Sequence, residues 1–279
     1  MRTRLLLLIF LLAVIPATGQ AADNYPQRIV SLAPANTEIL YALNLGDKIV
    51  GVTSYCNYPP QARQKEKIGD FTSPSIEKIV SLKPDLVLAT GLEQDPAVNS
   101  LRRLGLNVVV VDPHNFQQLF DNISQIGKLT GTSTYAYILN QSLLARISDV
   151  NRKISERGTK PPRIFMEISL QPLMTVGPGS FIAEMMNMLR AINIGSTLPR
   201  AYCRVNQEFI LEQDPEWLVL SSPGARDYFL KNPVFAKVSA VAKKQIIDDI
   251  DPDLLMRPGP RLVDGLEQLA DKIYGIKSR

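Results

Sequence analysis

One pattern of polar and apolar positions occurs twice along the chain. The first copy runs from Glu77 to Leu88 and the second from Glu208 to Leu220. In each copy a glutamate opens a short helical pattern that stops seven residues later at a proline followed by an acidic residue. A short apolar run follows, which is typical of a buried parallel strand. The copies begin 131 residues apart, far beyond the roughly 20–50-residue period of a solenoid, so they predict two lobes of similar construction.

Residues 22–131 are predicted to form the N-terminal lobe, because apolar runs and helical patterns alternate throughout them. This alternation predicts a mainly parallel sheet that is covered by helices on both faces. The predicted strands span 28–33, 48–53, 86–89 and 108–111, and the helices outside the repeat span 34–42, 98–104 and 116–129.

Residues 132–158 are predicted to form one helix that links the lobes. Leu139, Leu143 and Ile147 recur at helical spacing, and no strand pattern interrupts them. A helix of ~25 residues reaches nearly 40 Å, which suits a rigid connection between two lobes. Gly158 and the prolines beyond it supply the stop signal.

Residues 159–279 are predicted to form the second α/β lobe. The predicted strands span 163–168, 217–221 and 245–248, and the helices outside the repeat span 181–189 and 260–274. The segments around 171–175 and 202–203 are predicted to be irregular. The predicted fold is therefore α/β, with two lobes of mainly parallel sheet joined by one long interdomain helix.

Residues 1–21 have the pattern of a secretory signal. Arg2 and Arg4 precede the apolar stretch 5–14, and small residues up to Ala21 suit cleavage there. A permanent N-terminal anchor is the alternative, although the stretch is shorter than the roughly 20 residues that span a bilayer. Since no cysteine lies near the cleavage region, we expect a soluble periplasmic protein and not a lipoprotein.

Composition narrows the classes of function. The chain of 279 residues is 45% hydrophobic and 21% charged, which is ordinary for a globular protein. Of the formal net charge of +4, two units come from the signal segment. No basic run marks a nucleic-acid surface. His114 is the only histidine, and the two cysteines lack the close spacing of metal ligands, so no metal centre is predicted. His114 is interpreted as a polar loop residue.

Motifs for catalysis are absent from the sequence. There is no nucleophile elbow, phosphate-binding loop or dinucleotide fingerprint. Lone acids such as Asp70, Glu93 and Asp112 could serve acid–base chemistry, but nothing in the sequence brings two together. We therefore expect a protein that is not an enzyme and that has no cofactor.

Aromatic and sulfur-containing side chains in predicted loops indicate a binding cleft instead. They are Tyr55, Tyr58, Phe71, Met174 and Tyr202. In α/β folds the loops after the strand C-termini form the ligand crevice. Simple packing of these side chains onto their loops remains the alternative for each of them taken alone.

The chain resembles the substrate-binding proteins of ABC transporters for cobalamin and ferric siderophores, and is most similar to the cobalamin branch. The resemblance covers essentially the whole mature chain. It depends on the segments 28–38, 54–60, 76–87 and 257–261, taken in this order and spacing. It implies two α/β lobes bridged by one long helix, a ligand between them and little hinge closure.

The resemblance also implies roles for individual residues. The ligand would be bound by Ala33, Pro34, Tyr55, Phe71, Met174, Tyr202, Asp253 and Arg257. Glu77 and Glu208, one per lobe, would dock onto the membrane permease. For each glutamate alone, an acid favoured at a helix start is a sufficient explanation, worth ~0.3–1 kcal/mol.

The two cysteines differ from that family. Cys56 adjoins Tyr55 and Cys203 adjoins Tyr202. An exported protein with two cysteines favours a disulfide, so our hypothesis is a Cys56–Cys203 bridge at one side of the cleft. Two free thiols, or thiolates that bind a metal centre, are the alternatives.

Together these observations predict a monomeric receptor that delivers cobalamin or a related corrinoid to an ABC importer. A ferric-siderophore or haem receptor is the alternative within the same class. A secreted two-lobed enzyme and a signalling or chaperone-like receptor are alternatives from other classes.

Overall fold

The computed structural model describes residues 25–91 and 94–277. The predicted signal segment 1–21 and Glu93 lie outside the described residues. Within them the chain forms two α/β lobes joined by one long helix, which confirms the predicted fold class. The sheet of the second lobe is mixed, whereas the sequence predicts a mainly parallel one.

The N-terminal lobe is built on a four-stranded parallel sheet in the order β2-β1-β3-β4. Its strands are buried because helices cover both faces of the sheet. The elements are β1 (Ile29–Ser31), α1 (Pro34–Ala42), β2 (Ile49–Val52), α2 (Ile76–Ser81), β3 (Leu86–Ala89), α3 (Asp95–Arg103), β4 (Val108–Val110) and α4 (Phe116–Thr130).

The linking helix α5 (Ser133–Arg157) has the predicted length of 25 residues. It ends at Gly158, whose φ of 60° places it in the left-handed region that glycine adopts without steric cost. Leu143, Ile147, Val150 and Ile154 form its buried stripe. These side chains pack against the common core of the lobes, so the helix is held along its length.

The C-terminal lobe adds a six-stranded sheet in the order β10-β9-β5-β6-β8, with the short β7 also beside β5. Strands β9, β10 and β7 run parallel to their neighbours, and β5-β6-β8 are antiparallel. The elements are β5 (Arg163–Leu170), β6 (Leu173–Val176), α6 (Phe181–Met188), β7 (Ile192–Asn193), β8 (Tyr202–Arg204), α7 (Gln207–Gln213), β9 (Trp217–Leu220), α8 (Ala225–Lys231), α9 (Ser239–Ala242), β10 (Ile246–Ile247), α10 (Asp253–Met256) and α11 (Leu262–Tyr274).

The predicted loops around Met174 and Tyr202 are wrong, since both residues lie in strands. Met174 belongs to β6, which turns back on β5, and Tyr202 belongs to β8, which pairs with β6. Strands of three or four residues are too short to show a clear alternation of apolar and polar positions. Their pairing is therefore visible only in the folded sheet.

The two sequence repeats have equivalent surroundings in the two lobes. Arg28, just before β1, donates from Nε and Nη2 to the carbonyl of Leu82 at the end of α2, at 3.0 and 2.7 Å. Arg163, at the start of β5, donates to the carbonyl of Gln213 at the end of α7, at 3.1 and 2.6 Å. An equivalent guanidinium contact therefore binds the C-terminal end of the equivalent helix in each lobe.

The acidic residue after each repeat proline also has the same role. Asp85 accepts hydrogen bonds from the backbone N–H groups of Gln27 and Arg28. Glu216 accepts one from the backbone N–H of Arg163 at 2.9 Å. Each carboxylate therefore fixes the start of the strand that neighbours its own, which supports the prediction of two lobes of similar construction.

One buried core extends through both lobes and the linking helix. Leu40 and Phe116 from the first lobe belong to the same cluster as Met185 and Leu266 from the second. Helix α11 lies along α5, where Arg146 forms ion pairs with Asp264 and Glu267. A continuous apolar core opposes large hinge motion, because separating the lobes would expose it to water.

The predicted bridge between Cys56 and Cys203 is wrong, because both cysteines are free thiols. Cys56 is buried, and its Sγ lies 3.2 Å from the hydroxyl groups of Thr37 and Thr53 in the N-terminal lobe. Cys203 lies on β8, where successive side chains point to opposite faces, so it points away from the face that Tyr202 occupies. Sequence neighbours of cleft residues need not themselves face the cleft.

Within residues 25–91 and 94–277, no helix is both long enough and apolar enough to traverse a bilayer.

We predict two reactive thiols per chain in protein that is purified without reductant and then denatured. In the native state Cys203 should react much faster than Cys56, because Cys56 is only 1% exposed. Thiol titration with and without denaturant measures both quantities, and Cys203→Ser identifies the fast site. A titre of zero in denaturant would mean that the cysteines are bridged.

Candidate ligand-binding site

A cavity of about 490 Å³ lies where the loops after the N-terminal strands meet the segment that contains α10. Its lining includes six of the eight predicted ligand residues. They are Ala33, Pro34, Tyr55, Phe71, Asp253 and Arg257. The lining residues that the sequence prediction missed are Ala35, Asp70, Thr72, Thr90, Met256 and Pro258. Most of the missed residues adjoin predicted ones in sequence, and Thr90 follows β3, so the rule that ligands bind at strand C-termini could have found it.

The loop after β2 places Tyr55 at the cavity because its neighbour Cys56 is buried in the N-terminal lobe. The backbone N–H of Cys56 donates to the carbonyl of Thr53 at 3.1 Å, and the thiol lies among buried hydroxyl groups. Tyr55 is 54% exposed. A buried small side chain thus anchors the loop, and the adjacent aromatic ring is left available for contact with a ligand.

Phe71 is positioned by a buried amide that sequence reasoning missed. Gln94 is fully buried and donates from Nε2 to the carbonyls of Leu32, at 2.7 Å, and Phe71, at 2.9 Å. Its Oε1 accepts from the backbone N–H of Thr90 at 2.9 Å. One side chain therefore ties together three of the segments that line the cavity. No sequence pattern distinguishes this glutamine from a surface residue.

A buried carboxylate connects α1 to the C-terminal segment beneath the cavity. Glu38 is 4% exposed and accepts two hydrogen bonds from Arg261, at 3.0 and 2.7 Å. Burial opposes the charge on Arg261, but the hydrogen bond and the charge of Glu38 outweigh it and raise the pKa of the guanidinium. The same guanidinium lies 3.8 Å from the centre of the Tyr58 ring. Arg261 thus joins α1, the loop after β2 and the start of α11.

Arg257 lines the cavity but is engaged on all sides by protein groups. Its Nη1 donates to Asn57 at 2.7 Å and to Glu38 at 3.3 Å, and its Nη2 lies 2.8 Å from a carboxylate oxygen of Asp253. A further contact joins Nη2 to the carbonyl of Tyr55 at 3.4 Å. The geometry therefore makes Arg257 a clamp on the aromatic loop. The ion pair between Arg257 and Asp253 lies at the wall of the cavity.

Met174 and Tyr202 are not among the residues that line the cavity. Residues that face each other across an antiparallel pair share one side of the sheet. Met174 opposes Arg204 and Val176 opposes Tyr202, so Met174 and Tyr202 lie on one side of β6 and β8. The pKa of the Tyr202 phenol is raised by desolvation, although half of the side chain is exposed. The structure therefore does not bring these two residues to the cavity that the other six predicted ligand residues line.

Glu77 and Glu208 occupy identical positions in their helices. Ser75 and Asn206 cap α2 and α7 by accepting from the backbone N–H three residues later. Each glutamate is therefore the second residue of its helix, near the positive end of the helix dipole. Both are exposed, and neither forms an ion pair with a residue in the described part of the chain.

Because crossover helices run antiparallel to the strands, α2 and α7 begin at the edges of their sheets where parallel strands end. The cavity lies at that edge in the N-terminal lobe. Glu77 therefore lies at the edge of the N-terminal sheet that carries the cavity, and Glu208 lies at the corresponding edge of the C-terminal sheet.

The loop between β4 and α4 contains two further titratable residues, His114 and Asp112. His114 is exposed in the loop before α4 and lies 3.5 Å from Asp112, which fits its predicted place in a polar loop. Asp112 accepts from the hydroxyl of Thr90 at 3.0 Å. Among the described residues, no group of three or more His, Cys, Asp or Glu side chains could hold a metal ion.

Comparison with known proteins adds independent findings. A family model described as periplasmic binding protein matches residues 29–253. Among curated proteins, the "Uncharacterized ABC transporter substrate-binding lipoprotein YvrC" of Bacillus subtilis is 35% identical over 276 residues, covering 94% of this chain and 86% of that protein.

Two solved structures have similar folds and 30% sequence identity. One is the periplasmic vitamin B12-binding protein BtuF of Vibrio cholerae, with a TM-score of 0.78, covering 88% of this chain and 96% of that one. The other is described as a possible iron-binding periplasmic solute-binding protein from Staphylococcus epidermidis, with a TM-score of 0.80, covering 89% and 99%. These relatives are described as solute-binding proteins and not as enzymes.

We predict that Glu38→Gln lowers the free energy of unfolding by about 3 kcal/mol, because it leaves a buried guanidinium without its counterion. Urea unfolding measures the difference. The matched control is Glu156→Gln, which removes an exposed partner of Arg152 on α5 and should change the free energy of unfolding far less, because solvent screens that pair. Equal stabilities for the two variants would contradict a stabilising role for the Glu38 cluster.

Proposed function

Because the chain belongs to the periplasmic binding protein family, we propose that it captures cobalamin or a related corrinoid in the cleft between its lobes and delivers it to an ABC importer. In this proposal the mature protein is a soluble periplasmic monomer without catalytic activity, and residues 1–21 are its signal. The alternative to a soluble form is a lipid anchor, as in the name of the Bacillus subtilis relative.

The cavity is the observation that carries the proposal. Its walls combine small apolar groups at Ala33 and Pro34 with the exposed ring of Tyr55 and the half-buried ring of Phe71. Apolar and aromatic walls with few polar groups suit a large ligand whose flat face can be buried. The cavity of about 490 Å³ would take one side of such a macrocycle. The rest would extend towards Met174 and Tyr202.

A haem or ferric-siderophore receptor is the second candidate. The description of the Staphylococcus epidermidis structure as a possible iron-binding protein favours it. Such ligands are anionic, and a receptor for them needs free basic groups in the cleft. Arg257 is the only basic residue among those that line the cavity, and Glu38, Asn57 and Asp253 engage it. The described lining therefore offers no free cation to an anionic ligand, and Arg204, an exposed cation beside Met174, lies outside that lining. This is why we prefer the corrinoid.

The equivalent positions of Glu77 and Glu208 support delivery to a permease. Two exposed carboxylates, one on each lobe and each without an ion-pair partner in the described residues, suit basic groups on a two-fold partner. A carboxylate at a helix start is explained locally by the dipole, but the dipole does not require the same position in both lobes. Rim charges of this kind govern encounter and orientation more than affinity.

Calorimetry of the purified protein against cobalamin, cobinamide, haem and a ferric siderophore tests the ligand. We expect the two corrinoids to bind at least about tenfold more tightly than the other two, a difference of about 1.4 kcal/mol. Tyr55→Ala should weaken corrinoid binding, because the ring contributes apolar contact. The control Tyr137→Ala removes an exposed tyrosine on α5 and should leave binding unchanged. If calorimetry detects no heat of binding with any of the four ligands, the proposal is refuted.

Permease docking is tested with Glu77→Lys and Glu208→Lys. Each variant should bind the corrinoid normally but stimulate the importer ATPase at least about tenfold less at low salt, because a repulsive charge replaces an attractive one. Glu212→Lys is the matched control, since Glu212 is also exposed on α7 but lies beyond its first turn. Equal losses in all three variants would indicate a general charge effect instead of docking through the two glutamates.

A further inference from the structure

Three charged side chains are among the described residues that line the cavity, and one of them has no counterion in the described part of the chain. Asp253 and Arg257 form an ion pair at 2.8 Å and largely neutralise each other. Asp70 is the third. Its carboxylate accepts a hydrogen bond from the backbone N–H of its own neighbour, Phe71. The cavity wall therefore carries one uncompensated negative charge.

The position of Asp70 is fixed by the fold. It follows Gly69, whose φ of 113° is accessible to glycine and strained for other residues. The carbonyl of Gly69 accepts from the backbone N–H of Ser54 at 2.9 Å. On the other side, the carbonyl of Phe71 is held by buried Gln94. Asp70 is exposed and lies on an anchored segment beside the ring of Phe71, so solvent screens its charge in part.

An ionised carboxylate can only accept hydrogen bonds. Asp253 already accepts from Asn57 and Arg257, and the hydroxyl of Thr90 donates to Asp112, so Asp70 is the lining carboxylate that still needs a donor. The guanidinium donors of Arg257 are already used by Glu38, Asn57 and Asp253. On the C-terminal lobe, Arg204 is an exposed cation beside Met174 but does not line the cavity. It therefore does not supply the missing donor at this wall.

We propose that Asp70 selects ligands whose cavity-facing edge carries hydrogen-bond donors, such as carboxamides, and rejects those that carry carboxylates there. The inference rests on the proposed corrinoid function and adds a selecting residue to it. An ionised carboxylate only accepts hydrogen bonds, so an amide N–H satisfies it. A ligand carboxylate at the same place is repelled and leaves both groups without donors.

The experiment compares two probes that share one ring and one metal. Dicyanocobinamide carries peripheral carboxamides, and the matching dicyanocobyrinic acid carries carboxylates in their place. Wild type should bind the carboxamide probe at least about tenfold more tightly, as expected for like charges in a partly screened site. Asp70→Asn removes the charge but keeps the shape, and it should reduce this ratio about tenfold.

Asp227→Asn is the matched control, because it removes the same charge from exposed α8 and should leave the ratio unchanged. A second measurement needs no variant: in wild type the ratio should shrink as salt is raised, since the charge is partly screened by solvent.

The outcomes separate the inference from the function on which it rests. A ratio near one in wild type, or an equal ratio in wild type and Asp70→Asn, overturns the role of Asp70 while corrinoid binding stands. Failure of both probes to bind wild type overturns the corrinoid function, and the inference falls with it.

Discussion

The structure around the cleft depends on a single requirement, that a buried carboxylate must be paired. Glu38 is almost fully buried, and Arg261 and Arg257 satisfy it from the far end of the chain. Because these arginines also contact Tyr58 and Asn57, the aromatic loop of the first lobe is fastened to the C-terminal segment. The cleft wall is therefore assembled from both ends of the sequence. Together with the continuous core, this cluster limits how far the lobes can move apart.

A second constraint is the repeated helix–strand unit. Arg28 and Arg163 close α2 and α7 in the same way, and an acidic residue after each proline fixes the adjoining strand. The same local chemistry sets the same helix start in both lobes. This is why Glu77 and Glu208 take equivalent positions although their lobes differ in sheet topology. For a receptor that must engage two halves of a membrane partner, such equivalence is a geometric advantage.

The cleft contains two kinds of polar group: those that are paired within the protein and those that are free to contact a ligand. Arg257 and Asp253 form an ion pair with each other, and Arg257 also holds the loop after β2. The positive charge of Arg257, which the sequence suggested for ligand contact, is therefore used within the protein. Asp70 has no such partner among the described residues, so its carboxylate is available to a ligand that enters the cavity. An apolar site with few polar groups gains its specificity from those that remain unpaired until a ligand arrives.

The sequence by itself determined the two lobes, the linking helix and the parallel sheet of the first lobe, since these follow from local periodicity and stop signals. Loops after strands indicated Tyr55 and Phe71 as cavity residues, whereas the other predicted lining residues came only from the resemblance to a known family. The antiparallel strands of the second sheet were not predicted. It could not determine that Met174 and Tyr202 lie in strands, because three- and four-residue strands carry too little alternation. Nor could it show that Cys56 and Cys203 point away from the cleft, since side-chain direction depends on pairing and burial. Only the tertiary structure brought Gln94, Glu38 and Arg261 to their partners, because contacts between residues far apart in sequence exist only once the chain has packed.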